Sequence, residues 1–154
     1  MSTLALDIAT KTGWALRCDD GVLLSGVQDF SLQRGESPGM RFVRFRSWLR
    51  DMLLKNQVYV VVYEQAHHRG GHATEVCVGL ITHMQGVCAE FGAEYTHCHT
   101  ATLKKFATGK GNAGKPEMLA AAREKYAKTG EIIEDDNQAD ALMLLAWAEE
   151  TGVV

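Results

Sequence analysis

Residues 3–17 read TLALDIATKTGWALR. The run from Thr3 to Ala9 is apolar apart from one acid, Asp7. A polar TKTG follows, then a second apolar run, WALRC, then DDG, then VLLSGVQDF. Two punctuated gaps between three such runs predict three consecutive antiparallel strands joined by short turns. An acid in an apolar strand costs free energy unless it is paired or coordinated. Asp7 therefore either meets solvent at a strand end or serves as a ligand, and the rest of the chain has to decide which.

After the polar loop at 31–39 the period changes. Phe42, Phe45, Leu49, Met52 and Leu53 recur at helical spacing, with Arg44, Arg46 and Arg50 largely elsewhere around the wheel. An amphipathic helix ending near Lys55 and Asn56 is expected. VYVVVYE at 58–64 reads as a strand buried on both faces, with Glu64 at its tip. A loop with adjacent glycines follows, then a helix over 74–91. Val76, Leu80, Met84 and Val87 lie on one side of it and suit core packing or a subunit interface equally. AEYTHCH is a short strand. TATLKKFA opens a helix with Thr100 or Thr102 as N-cap. Pro116 suits the first position of a helix reaching Lys128. The last helix begins near Asp136 and continues through ADALMLLAWAEE. The order βββαβαβααα predicts an α/β fold: a mixed five-stranded sheet with helices on both faces, in a single domain over 1–154.

Composition agrees with a globular domain: 154 residues, 46% hydrophobic and 23% charged. No apolar run is long enough to span a bilayer, and the opening MSTLALDIAT lacks a basic region of the kind that starts a signal peptide. A cytoplasmic setting is expected, the cell's own or a host's. None of the four cysteines forms a C-x-x-C pair. A zinc site from Cys98 with His97 and His99 is disfavoured, because neighbours on a strand point to opposite faces. The net charge of −3 argues weakly against nucleic acid, but the distribution matters more. Residues 104–128 hold seven Lys or Arg, and 129–154 hold seven Asp or Glu with no basic residue. Ordinary solvated helix faces would look the same; basic surface beside concentrated acid also suits a metal-dependent nuclease.

GKGNAGKP at 109–116 has the G-x-x-x-x-G-K spacing of a P-loop. Pro116 stands where the metal-binding hydroxyl belongs, and the segment before it reads as helix instead of strand. A nucleotide cofactor is therefore not expected. Its glycines still allow close backbone approach to a phosphate, with Lys110 and Lys115 supplying charge. The carboxylates suggest which phosphate. Asp7 sits on the first strand, Glu64 at the tip of the fourth, and Asp136 and Asp140 are four apart at the start of the last helix. Each alone has an ordinary reading as a strand end or a helix cap. Together they are hard oxygen ligands from separate elements, suited to Mg²⁺ or Mn²⁺. Two such ions about 3.5–4 Å apart activate water and stabilise a leaving oxygen in phosphodiester hydrolysis.

LALDIATKTGWAL, VVVYEQ, LKKFATGKGNAGK and DDNQADAL, in this order, resemble the RuvC family of Holliday junction resolvases, in particular the compact RuvC-like enzymes of phages. The resemblance covers nearly the whole chain. It implies an RNase H-like fold, a homodimer, and paired Mg²⁺-dependent cuts across a four-way DNA junction. Asp7, Glu64 and Asp140 match the family's acidic ligands. The family's further aspartate falls at Asn137, so Asp136 is taken as the fourth carboxylate, with Asn137 and Asp135 as open alternatives. Lys104 and Lys115 match lysines near the scissile phosphate and DNA backbone, and Lys105 and Lys110 extend that basic surface. His67 stands where the family often has a stacking aromatic; Arg69 beside it suits backbone contact, and His68 and His72 share the loop. Three rivals remain: a less selective flap nuclease, a non-catalytic junction-binding module, and an actin-like ATPase, for which 154 residues leave no second lobe.

Overall fold

The computed structural model describes residues 1–65 and 70–154. Three strands come first: β1 (Ser2–Asp7), β2 (Lys11–Arg17) and β3 (Leu23–Asp29). They form an antiparallel meander, with Asp7 opposite Gly13 and Trp14 opposite Gly26. Helix α1 (Met40–Lys55) crosses over to β4 (Val58–Glu64), which pairs parallel to β1. Helix α2 (His72–Phe91) crosses again to β5 (Glu94–Cys98), parallel to β4. The sheet order is β3-β2-β1-β4-β5, a mixed five-stranded sheet, and the element order is the one expected. Helices α3 (Thr100–Thr108), α4 (Lys115–Lys125) and α5 (Asp136–Glu150) complete the chain.

Strand alternation divides the core between the two faces. Leu4, Leu6, Leu16, Val61 and Tyr63 pack beneath α1 and α2 with Phe45, Leu49, Leu80 and Met84. Ala5, Ala15, Val62 and Cys98 face the other way, beneath α3–α5, with Leu103, Met118, Leu142 and Leu145. Small residues on this second face let α5 lie close to the sheet. Gly13 marks the tightest approach: a Cβ there would fall 1.9 Å from the backbone oxygen of Asn137.

Four details differ from the sequence reading. Helix α2 starts two residues earlier than expected, at His72. Val76, Leu80, Met84 and Val87 are all buried within the protomer, so they are core and not a subunit contact. Neither Thr100 nor Thr102 caps α3: both already lie inside the helix, and His99 holds the N-cap position without a side-chain bond. Lys115 precedes Pro116 in α4, which ends at Lys125, before the turn whose Gly130 has φ +81. Among the described residues, no helix is long and apolar enough to cross a membrane.

Candidate active site

Parallel pairing of β1 with β4 brings their C-terminal ends side by side, Leu6 being opposite Tyr63. Asp7 and Glu64 follow these two residues and project to the α5 side of the sheet. Because Gly13 lets the start of α5 touch β2, the first turns of that helix hang over the same point. Carboxylate oxygens of Asp7, Glu64 and Asp140 all lie within 4.8 Å of one another. They line an open cavity of about 250 Å³ together with Thr100, Lys104, Gly114, Lys115, Met118, Asp136 and Asn137.

Three carboxylates this close repel one another, and burial removes the water that would relieve them. Burial, then the charges of Asp140, Glu64, Asp136 and Asp135, raise the Asp7 pKa well above the ordinary carboxylate range. Asp140 is pushed up to about 7, first by burial and then by Glu64 and Asp136, with Lys104 and Lys115 opposing. Asp140 Oδ1 is also buried without a hydrogen-bond partner. A buried acceptor left unpaired is costly. Here it lies in a cluster of acidic oxygens short of positive charge. This donor set, hard oxygens with one lacking any donor, fits a divalent cation.

Of the open alternatives at the start of α5, Asp135 is committed to capping: its side chain accepts from the backbone N–H groups of Asn137 at 2.7 Å and Gln138 at 3.4 Å. Asp136 stands apart from the three clustered acids but lines the same cavity, 3.5 Å from the Lys115 ammonium. Asn137 also lines it. Lys104 and Lys115 border the carboxylates, whereas Lys105 and Lys110 are exposed outside the cavity wall. His67, His68 and Arg69 lie outside the described residues. His97 and His99 rings meet edge to face at 5.3 Å, while Cys98 between them is buried against the opposite face, so the three do not converge as a zinc site.

Two site residues had no place in the site in the sequence reading. Thr100 donates its hydroxyl to Glu64 Oε1 at 2.5 Å, across 36 positions of chain. Gly13 sets the height of α5. The T-G of TKTG reads as a turn but belongs to β2, which starts at Lys11, and nothing local says that a helix 124 positions later rests on it. A roomier groove of about 380 Å³ runs between α1 and α2, but its one acid, Glu90, already pairs with Arg46.

No protein-family model and no curated protein matches the chain. Solved structures do match. Thermus thermophilus RuvC in complex with a Holliday junction substrate aligns with a TM-score of 0.78 over 99% of this chain and 96% of that one, at 18% identity. The yeast mitochondrial Holliday junction resolvase Ydc2 gives 0.61 over 92% and 75%, at 11% identity. Fowlpox virus resolvase, solved with substrate Holliday junction DNA, gives 0.56 over 96% and 99%, at 15% identity. At such identities the likeness is one of architecture, and the chain carries the RNase H-like fold of the RuvC resolvases.

Proposed function

We propose that this chain, a single nuclease domain, is a structure-selective endodeoxyribonuclease that resolves four-way DNA junctions by divalent-cation-dependent phosphodiester hydrolysis. The observation that carries the proposal is the convergence of Asp7, Glu64 and Asp140 within 4.8 Å at the adjoining ends of two parallel strands, with one Asp140 oxygen orphaned. The junction as substrate is supported by the fold, since one structure it resembles is named as a Holliday junction resolvase and two others were solved with Holliday junction substrate.

In this reading Asp7, Glu64 and Asp140 would hold Mg²⁺, with Mn²⁺ able to replace it, and Asp136 at the cavity wall would add a ligand for a second ion. When bound, such ions supply Lewis acidity to water and to the phosphate oxygens. The chain's own residues do the rest. Lys104 and Lys115 flank the carboxylates, where they draw the DNA backbone in and offset charge building on the transferring phosphate. Withdrawal of Lys115 from Asp136 toward a phosphate frees that carboxylate as the substrate arrives. Lys105 and Lys110 extend the positive surface beyond the cavity, along the path of a strand. Gly109 ends α3 with φ +84, so the chain turns sharply there and brings Lys110 to the surface.

A homodimer would set two such sites against the two-fold symmetry of a junction. The inward stripe of α2 belongs to the core, so such a contact would use outward residues of α1 and α2 such as Val43, Val78 and Phe91, all exposed. The enzyme would act in the cytoplasm of its cell or, if phage-borne, of the host. The test is incubation with a labelled four-way junction, a Y-fork and a linear duplex, each with Mg²⁺ and with chelator. Mg²⁺-dependent cutting of the junction in preference to the others is expected. Equal cutting of all three would overturn the resolvase reading, and full cutting by Asp7→Asn would overturn the assignment of the site.

A further inference from the structure

We infer that Thr100 is a positioning residue for the cation site: its hydroxyl fixes the carboxylate plane of Glu64. The inference rests on the site reading above and adds a residue that neither the resemblance nor the acidic pattern assigns. Glu64 ends β4 and pairs with Cys98 at the end of β5. The chain then takes one further residue, His99, before α3 begins at Thr100. Strand register therefore places the first turn of α3 directly beside Glu64. The Thr100 hydroxyl donates to Glu64 Oε1 at 2.5 Å, within the range of short charge-assisted O–H···O⁻ bonds. That hydroxyl caps nothing in its own helix, whose N-terminus has no side-chain cap.

Glutamate has three side-chain torsions, so an untethered Glu64 at the mouth of a cavity would sample several orientations. The neighbouring carboxylates of Asp7 and Asp140 repel it and would turn it outward when no cation is present. One oxygen held by Thr100 resists that rotation and keeps the carboxylate facing the cluster before a cation arrives. Hydrogen-bonded partners of this kind commonly set metal affinity by about 10–100-fold. Lys104, one turn further along α3, lines the same cavity, so the helix that steadies Glu64 also presents a phosphate-binding cation.

The test compares wild type with Thr100→Val, which keeps the shape and removes the hydroxyl, and Thr100→Ser, which keeps the hydroxyl. Mn²⁺ is titrated calorimetrically into each DNA-free protein, and junction cleavage is followed at low and high Mn²⁺. Thr100→Val is expected to weaken Mn²⁺ binding by about 10–100-fold. It should lower kcat at low Mn²⁺, leave KM for the junction unchanged, and recover as Mn²⁺ rises; Thr100→Ser should bind and cut like wild type. If Thr100→Val binds Mn²⁺ as wild type does, or Thr100→Ser fails as badly as Thr100→Val, the positioning role is wrong while the site reading stands. If wild type itself takes up no Mn²⁺, the site reading falls and this inference falls with it.

Discussion

Asp140→Asn should make the cation-free protein more stable, and should do so more at pH 8 than at pH 5. In the unfolded chain Asp140 ionises near its ordinary value of 3.8, whereas the fold raises it to about 7. Between those values the folded state holds a proton that the unfolded state has lost, so stability falls as pH rises through the window. At about 1.36 kcal/mol per pKa unit, the carboxylate costs the fold on the order of 4 kcal/mol at pH 8. At pH 5, where folded Asp140 is still protonated, the cost is only about 1–2 kcal/mol. Asparagine has no such proton to lose. Whatever the amide itself adds or removes through packing is nearly the same at both pH values and cancels in the comparison. The stability difference between mutant and wild type should therefore grow by roughly 2–3 kcal/mol from pH 5 to pH 8. For a chain of this length that is roughly 5–10 °C in Tm. The assay is urea denaturation of both proteins in chelator at the two pH values, repeated at pH 8 with Mg²⁺. Mg²⁺ should raise wild-type stability by mass action and leave the mutant nearly unchanged. An equal mutant-minus-wild-type difference at pH 5 and pH 8 would refute the reasoning, since it would mean that Asp140 does not carry a raised pKa in the fold.

Gly13→Ala places a methyl carbon 1.9 Å from the Asn137 carbonyl oxygen, so α5 must shift. Overpacking of this kind costs roughly 1–3 kcal/mol or more, read by thermal melting. Displacement of Asp136 and Asp140 by even an ångström should cut junction cleavage about 100-fold. Lys104→Ala and Lys115→Ala, each on an Asp7→Asn background to prevent cutting, should weaken junction binding and lower the slope of log affinity against log salt by about 0.9 per lost phosphate contact. An unchanged slope would remove that lysine from the DNA path. Met84→Ala should destabilise by about 2–5 kcal/mol, as a core truncation does. Its Tm loss should not depend on protein concentration; strong dependence would return this stripe of α2 to a subunit interface.

Strand and helix order was legible because most elements carry their own period. β4 is a β-branched run, and α1 repeats its apolar residues at helical spacing with arginines between. Asp7 and Glu64 stood out for the same reason, as acids in segments otherwise committed to burial. The loss of Thr100 has a physical cause. A threonine before a helix has an ordinary local use as a cap, and only the β4–β5 register reveals that Glu64 lies within reach of its hydroxyl. The two uses of α2 were inseparable in sequence because a stripe of Val, Leu and Met is identical whether a sheet or a second subunit covers it. The start of α5 was ambiguous because three polar residues in a row, Asp135, Asp136 and Asn137, can each cap or coordinate. Backbone geometry resolved part of this by giving the capping bonds to Asp135.

Helix α5 shows why a strained acidic cluster survives in this fold. It is apolar nearly all round, which hides its amphipathic period, and it packs against β1, β2, β3 and β4 as well as α3 and α4. Leu142, Leu144 and Leu145 are fully buried. At about 1.5–3 kcal/mol for each buried leucine, these three outweigh the penalty at Asp140. The helix therefore cannot relieve the repulsion by lifting its N-terminus from the sheet without breaking its own core contacts. The remaining way to lower the free energy is to bring positive charge to the carboxylates. Lys104 and Lys115 do this in part and already oppose the rise at Asp140. A bound cation would do it far more fully, so the rigidity that makes the clustered carboxylates costly is the same property that would hold them ready.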